Sequence, residues 1–230
     1  ITSNTCNNSI FGIALFSNSN ENTITDNTCS NNNIAGIGLY TSNNENTITG
    51  NTCNNNDVGI DLDSNNENTI TDNICNNNTS LGISLYSSSN NNITSNIFNN
   101  NYTGIFLGLS SNGNTIISNI CNNNNYYGIN LDSSSNNTIT GNTCNDNGEI
   151  GIILEFSSNN TITGNTCIRG TGLATDYTEN QYTIQLRGTD NNYNLISNNN
   201  CMGKAVTNEG GTGNTIIDNK WSNSSGRILE

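Results

Sequence analysis

Apolar residues are sparse along this chain, yet they recur at fixed places. The segment Asn22-Thr23-Ile24-Thr25-Asp26-Asn27-Thr28-Cys29 returns at Asn46 to Cys53, Asn68 to Cys75, Asn137 to Cys144 and Asn160 to Cys167, with degenerate copies between. Its isoleucine register runs Ile1, Ile24, Ile48, Ile70, Ile93, Ile116, Ile139, Ile162, Ile196 and Ile216. Most steps are about 23 residues, the size of one solenoid coil rather than of a propeller blade. A second landmark, Gly-Ile-x-Leu, recurs from Gly12 to Leu15 through Gly151 to Leu154. Alternate residues of a strand face opposite ways, so the Ile of Thr-Ile-Thr and the Ile and Leu of Gly-Ile-x-Leu point inward. The pattern predicts an all-β chain, a right-handed parallel β-helix of about ten coils of roughly 23 residues. Residues 1–230 are expected to form a single domain with a loop insertion at about 168–183, where the step from Ile162 to Ile196 is long.

Three residues after each register isoleucine stands an Asn: Asn4, Asn27, Asn51, Asn73, Asn96, Asn119, Asn142, Asn165, Asn199 and Asn219. A short amide that tolerates αL geometry suits a sharp bend, and stacked amides can bond along a column. These asparagines are therefore assigned to structure, with the left-handed bend placed on the Asn itself. Two residues further on come Cys6, Cys29, Cys53, Cys75, Cys121, Cys144, Cys167 and Cys201, replaced by Phe98 and Trp221 in two coils. Exchange with large rings marks an inward position, where a free thiol behaves as a small hydrophobe. Stacking about 4.8 Å apart on a parallel ladder is poor geometry for bridges, so buried free thiols are expected. Trp221 is a candidate plug for the C-terminal end.

Composition changes the picture in two ways. Asparagine makes up roughly a quarter of the chain and charged residues 10%, a balance that without periodicity would read as disorder. Proline is absent, which suits ladders that need every backbone N–H. The formal net charge of −13, with five Lys plus Arg, argues against a phosphate backbone as ligand. No nucleic-acid partner and no membrane insertion are expected, and an extracellular or cell-surface location is. With no His, one Met and no Cys-x-x-Cys pair, no metal site is expected.

The pattern Asn-Thr-Ile-Thr-[Asp/Gly]-Asn-x-Cys-Asn-Asn-Asn…Gly-Ile-x-Leu covers nearly the whole chain. It resembles the β-helix repeats of the NosD-like and carbohydrate-binding/sugar-hydrolase group, including archaeal surface and disaggregatase-related proteins. That resemblance implies a parallel β-helix, while the group spans enzymes, binding modules and structural spacers. The NosD name implies a link to copper-enzyme assembly, for which His or Met ligands are missing here.

Function must then come from outward positions. The residue after each Gly-Ile-x-Leu, or its equivalent, reads Phe16, Tyr40, Asp63, Tyr86, Gly108, Asp132, Glu155 and Arg187. Asp132 and Glu155 on adjacent coils would stand at roughly the 5 Å of a retaining glycosidase pair, with Arg187 one coil on. A lyase would use the same three with Arg187 on a uronate carboxylate and calcium as a possible cofactor. Tyr40 and Tyr86 flank Asp63, with Asp61 on the same strand face, a candidate sugar-stacking platform. The outward threonines Thr23, Thr25, Thr47, Thr49, Thr69, Thr71, Thr138, Thr140, Thr161 and Thr163 make two files like those of ice-binding solenoids, broken at Asn92, Ile117, Leu195 and Ile217. The leading expectation is a non-catalytic extracellular module, a surface spacer or glycan-contacting segment of an envelope protein. Its expected partners are polysaccharide or envelope components, with no cofactor and with end-to-end self-association through its open ends. A polysaccharide lyase or glycoside hydrolase, and an ice-binding protein, are the alternatives.

Overall fold

A computed structural model describes residues 1–168, 182–202, 206–222 and 228–229. Two parallel sheets of nine strands each run along a right-handed β-helix. One sheet stacks six-residue strands, from Phe11–Phe16, Ala35–Tyr40 and Val58–Asp63 to Tyr182–Arg187, and closes on Thr207–Asn208. The other stacks three-residue strands, from Thr23–Thr25 to Thr215–Ile217. A third line joins single residues, Thr5, Thr28, Thr52, Ile74, Ile97, Ile120, Thr143, Thr166 and Asn200, by isolated parallel bridges. The sequence predicts about ten coils, one more than each sheet holds, because the segment around Ile1 joins its neighbour through the isolated bridges Thr2 to Thr25 and Thr5 to Thr28 and adds no strand to either sheet.

One coil shows how the sequence makes the shape. From Thr47 onward, Ile48, Cys53, Ile60 and Leu62 turn inward and expose no surface. Between them the chain bends at Gly50, Asn55, Ser64 and Glu67, all with positive φ. Each bend stands immediately before a buried amide, Asn51, Asn56, Asn65 or Asn68. The left-handed residue therefore lies one position before the ladder asparagine, not on it as the sequence reading had placed it. The corner residue absorbs the reversal at the surface, where Gly, Asn or Asp tolerates αL, and the next side chain is thereby turned into the core.

The amides then satisfy one another. From Asn4 to Asn219, each Nδ2 donates to the Oδ1 of the next coil at 2.8 to 3.0 Å. The same Oδ1 also accepts the backbone N–H of the coil before, as at Asn73 N to Asn96 Oδ1, 2.9 Å. The remaining Nδ2 hydrogen bonds strand carbonyls, as from Asn96 to Ile70 O at 2.9 Å. A polar interior thus costs little, since nearly every buried donor finds a partner.

The glycine of Gly-Ile-x-Leu is a matter of space. A Cβ on Gly104 would stand 2.6 Å from Gly128 O and 3.0 Å from both Cys121 Cβ and Asn124 Nδ2. Backbone and core both resist. We predict that Gly104→Ala destabilises by about 3 kcal/mol, the upper range for overpacking, measured by urea denaturation; a wild-type midpoint would show the coils can spread.

Most of the insertion expected at 168–183 falls on residues 169–181, outside the described residues. The strand beyond it, Tyr182–Arg187, pairs in parallel register with Ile150–Glu155, so the sheet continues across it. The Trp221 side chain likewise lies outside what the structure describes.

Candidate functional site

The six-residue strands turn three residues outward, which stack into columns across the coils. The first column carries Leu81, Thr103, Tyr127 and Ile150, the middle one Asp61, Ser84, Phe106 and Asn130, and the third Tyr40, Asp63, Tyr86 and Gly108. Gly108 leaves a gap in the third column, and the Phe106 ring occupies the space where its Cβ would be. Tyr86 meets that ring at 5.2 Å between centroids. One position before the first column, Tyr102 and Tyr126 stack at 5.1 Å with planes 11° apart, and Tyr126 meets Tyr127 at 4.5 Å. Between these rings lies an open cleft of about 260 Å³, lined by Ser80, Leu81, Tyr86, Tyr102, Thr103, Phe106, Tyr126, Tyr127 and Asn130.

Asn130 is 9% exposed, and its Oδ1 has no hydrogen-bond partner. A buried acceptor without a donor is costly and points to a ligand group that completes it. At one end of the cleft, Arg187 Nη1 donates to the Tyr127 hydroxyl at 3.1 Å and to Glu155 Oε1 at 3.2 Å. Its guanidinium also lies 5.9 Å from the Tyr127 ring centre. Burial pushes the Tyr86 hydroxyl pKa up, with the charges of Asp61 and Asp132 adding to it. Tyr126 is pushed up to about 12, first by its bond to Glu149. Tyr86 therefore keeps its proton and can donate to a ligand at physiological pH.

The residues singled out from sequence are distributed as follows. Tyr40 packs away from the cleft, stacked on Phe16 at 5.4 Å, and donates to Asp61 Oδ2 at 3.0 Å. Burial raises the Asp61 pKa against the opposing bonds from Ser84 and Tyr40. Asp63 stands in register between Tyr40 and Tyr86, accepting from Ser64 Oγ at 2.9 Å. Of these four, Tyr86 alone lines the cleft. Asp132, Glu155 and Arg187 do lie in register on three consecutive strands, but Glu155 is held by Arg187, and Ser133 Oγ donates to Asp132 Oδ1 at 2.9 Å. The threonines form two files on the three-residue strands. Thr23, Thr47 and Thr69 are in register, as are Thr25, Thr49 and Thr71, and the run resumes through Thr138, Thr140, Thr161 and Thr163.

Sequence reasoning missed Tyr102, Phe106, Tyr126, Tyr127 and Asn130. It followed the column after Gly-Ile-x-Leu, whereas these residues precede or interrupt that motif. Aligning coils on the two positions before the glycine would have stacked Tyr102 on Tyr126 and shown the aromatic patch.

A right-handed parallel β-helix places the chain in the class of β-solenoid proteins. Within that class, the chain belongs to the family described as periplasmic copper-binding protein (NosD), whose model matches residues 1–126 and again 82–228. Solved structures of similar fold include a point mutant of the periplasmic alginate epimerase AlgG, with a TM-score of 0.72 and 17% identity over 85% of this chain and 49% of that one. The Dettilon tailspike protein matches with a TM-score of 0.72 and 21% identity over 86% and 43%. The A-module of the Azotobacter vinelandii mannuronan C-5 epimerase AlgE4 matches at 0.67 and 19% over 87% and 57%. At such identities the likeness is one of fold, and this chain spans about half the length of these proteins. A search of curated proteins finds no match.

The family description raises copper, and the residues do not fit it. The chain has no His and a single Met, Met202. The cysteines are free, one to a coil, and all but Cys6 are buried. Burial, followed by the neighbouring Cys121 thiol, raises Cys144, while for Cys167 the bond to Cys144 comes first and burial second. Thiolates are the ligands that soft metals need, and this column disfavours them. Among the described residues no group of three or more His, Cys, Asp or Glu is placed to hold an ion. We predict that a thiol reagent modifies Cys6 first in the native protein and the other cysteines only after denaturation. Rapid native labelling of Cys144 would contradict the buried column.

Proposed function

We propose that the chain is a non-catalytic, glycan-contacting β-solenoid module of an extracellular or envelope protein. The observation that carries this reading is the cleft itself. Flat tyrosine faces present the apolar side of a sugar ring with a matching surface, and their hydroxyls together with Asn130 supply the polar contacts. Two of the fold neighbours are named as an alginate epimerase and a mannuronan C-5 epimerase, which supports a polysaccharide as the ligand class. Against Glu155 as a general acid stands the Arg187 ion pair, which favours the ionised carboxylate.

The enzymatic reading keeps one supporting observation, the nearness of Glu155 and Arg187 to the cleft through Tyr127; calcium would enter only there. A polysaccharide screen that follows bound sugar and released ends in the same samples separates the two. Binding without turnover is expected, weakened about tenfold in Tyr126→Ala, roughly the 1.4 kcal/mol of a lost stacking face. Turnover abolished by Glu155→Gln would make the chain a lyase or hydrolase instead. Thermal hysteresis lost in Thr49→Tyr would move the function to the threonine files.

A further inference from the structure

We infer that the cleft selects a glycan whose rings carry amino groups, takes a neutral chain more weakly, and excludes polyuronates. The inference deepens the glycan-contacting reading and rests on it. The cleft lining contains no charged side chain, but carboxylates stand around it. Asp61 and Asp132 are close enough to Tyr86 to act on its hydroxyl, Glu149 bonds Tyr126, and Glu155 and Glu149 act on Tyr127. Glu149 also donates its backbone N–H to Tyr126 O at 2.8 Å, which fixes it beside the stacked rings. The compensating cation at this end is Arg187, already paired to Glu155. Beyond it, Lys220 is the other Lys or Arg among the described residues, on a strand of the separate three-stranded sheet.

The unpartnered acceptor and the surrounding carboxylates therefore favour donors and positive charge. Asn130 Oδ1 lacks a donor, and a ring amine or hydroxyl would supply one. An ammonium gains from the carboxylates and from the tyrosine faces, which attract cations. A uronate carboxylate meets like charge on both sides and finds Arg187 occupied. The fold neighbours named for alginate would thus differ from this chain in the charge of their ligand.

The test is calorimetric titration of the whole chain with three hexamers, of glucosamine, of glucose and of mannuronate, in mildly acidic buffer that keeps the amines protonated. Glucosamine hexamer is expected to bind about tenfold more tightly than glucose hexamer, and mannuronate hexamer most weakly. The gap should close in 1 M salt, where screening acts within about 3 Å. Glu149→Gln and Asp132→Asn should each narrow it, Asp132→Asn while leaving glucose hexamer affinity unchanged, and thermal melts would confirm that both variants fold. Mannuronate hexamer binding as tightly as glucosamine hexamer, in a manner lost with Tyr126→Ala, would overturn the selectivity and leave the glycan-contacting reading standing, as would equal affinity for glucosamine and glucose hexamers. Silence from all three, or binding indifferent to Tyr126→Ala, would overturn that reading as well.

Discussion

Asn96→Ala is expected to lower the unfolding free energy by about 4 kcal/mol, from one stranded buried N–H at about 1–3 kcal/mol and the lost hydrogen bonds of the amide at about 1 kcal/mol each. Asn96 sits in mid-ladder and is fully buried. Its Oδ1 accepts from Asn73 N at 2.9 Å and Asn73 Nδ2 at 3.0 Å, and its Nδ2 donates to Ile70 O, Thr94 O and Asn119 Oδ1. Truncation leaves the Asn73 backbone N–H without its acceptor in a dry interior and removes one of the three acceptors of Asn73 Nδ2, which keeps Ile48 O and Thr71 O. The substitution also removes the link between neighbouring coils on which a solenoid depends, since each coil contacts only the next. Urea denaturation followed by circular dichroism reads the loss. A change under about 1 kcal/mol would mean that water or a relaxed backbone replaces the amide.

The second large effect is expected at Phe98, the one coil in the described core where a ring replaces the column cysteine. It exposes no surface and heads the fully buried side chains by size. Its Cβ and ring also fill the space beside Gly82. Phe98→Ala should cost about 4 kcal/mol, as ring truncations in close-packed cores do. Phe98→Cys, which restores the residue of the neighbouring coils, should cost less, because the coils are already spaced for a thiol and only the ring's own cavity must collapse. The same denaturation experiment ranks the two. Equal losses would mean the coil around Phe98 cannot close toward the geometry of its neighbours.

Much of the fold was legible because each coil repeats one chemistry. Ile48, Cys53, Ile60 and Leu62 announce inward positions by spacing alone, and Asn51 announces a ladder by recurring at one place. The corner geometry was less legible: Asp26, Gly50 and Ser95 share a positive φ but little side-chain chemistry, so the bend could not be told from the asparagine beside it. The cleft was the least legible. Its stacked rings, Tyr102 and Tyr126, come from a position that carries Ile10, Ile34, Asp57 and Ser80 in earlier coils, so no recurring residue type marks them. They become a site only when Gly108 leaves a gap and Tyr102 and Tyr126 fall in register. Asp132, Glu155 and Arg187 were found by column and do align, but spacing could not show that Arg187 would turn to Glu155 and Tyr127.

The most direct measurement is a crystal structure of the chain soaked with glucosamine hexamer. An intact hexamer should lie along the sheet with one ring on the Tyr102–Tyr126 stack and an amine or hydroxyl donating to Asn130 Oδ1. Density for a cleaved or altered sugar at Asp132 and Glu155, or an empty cleft with sugar bound on another face, would contradict the assignment.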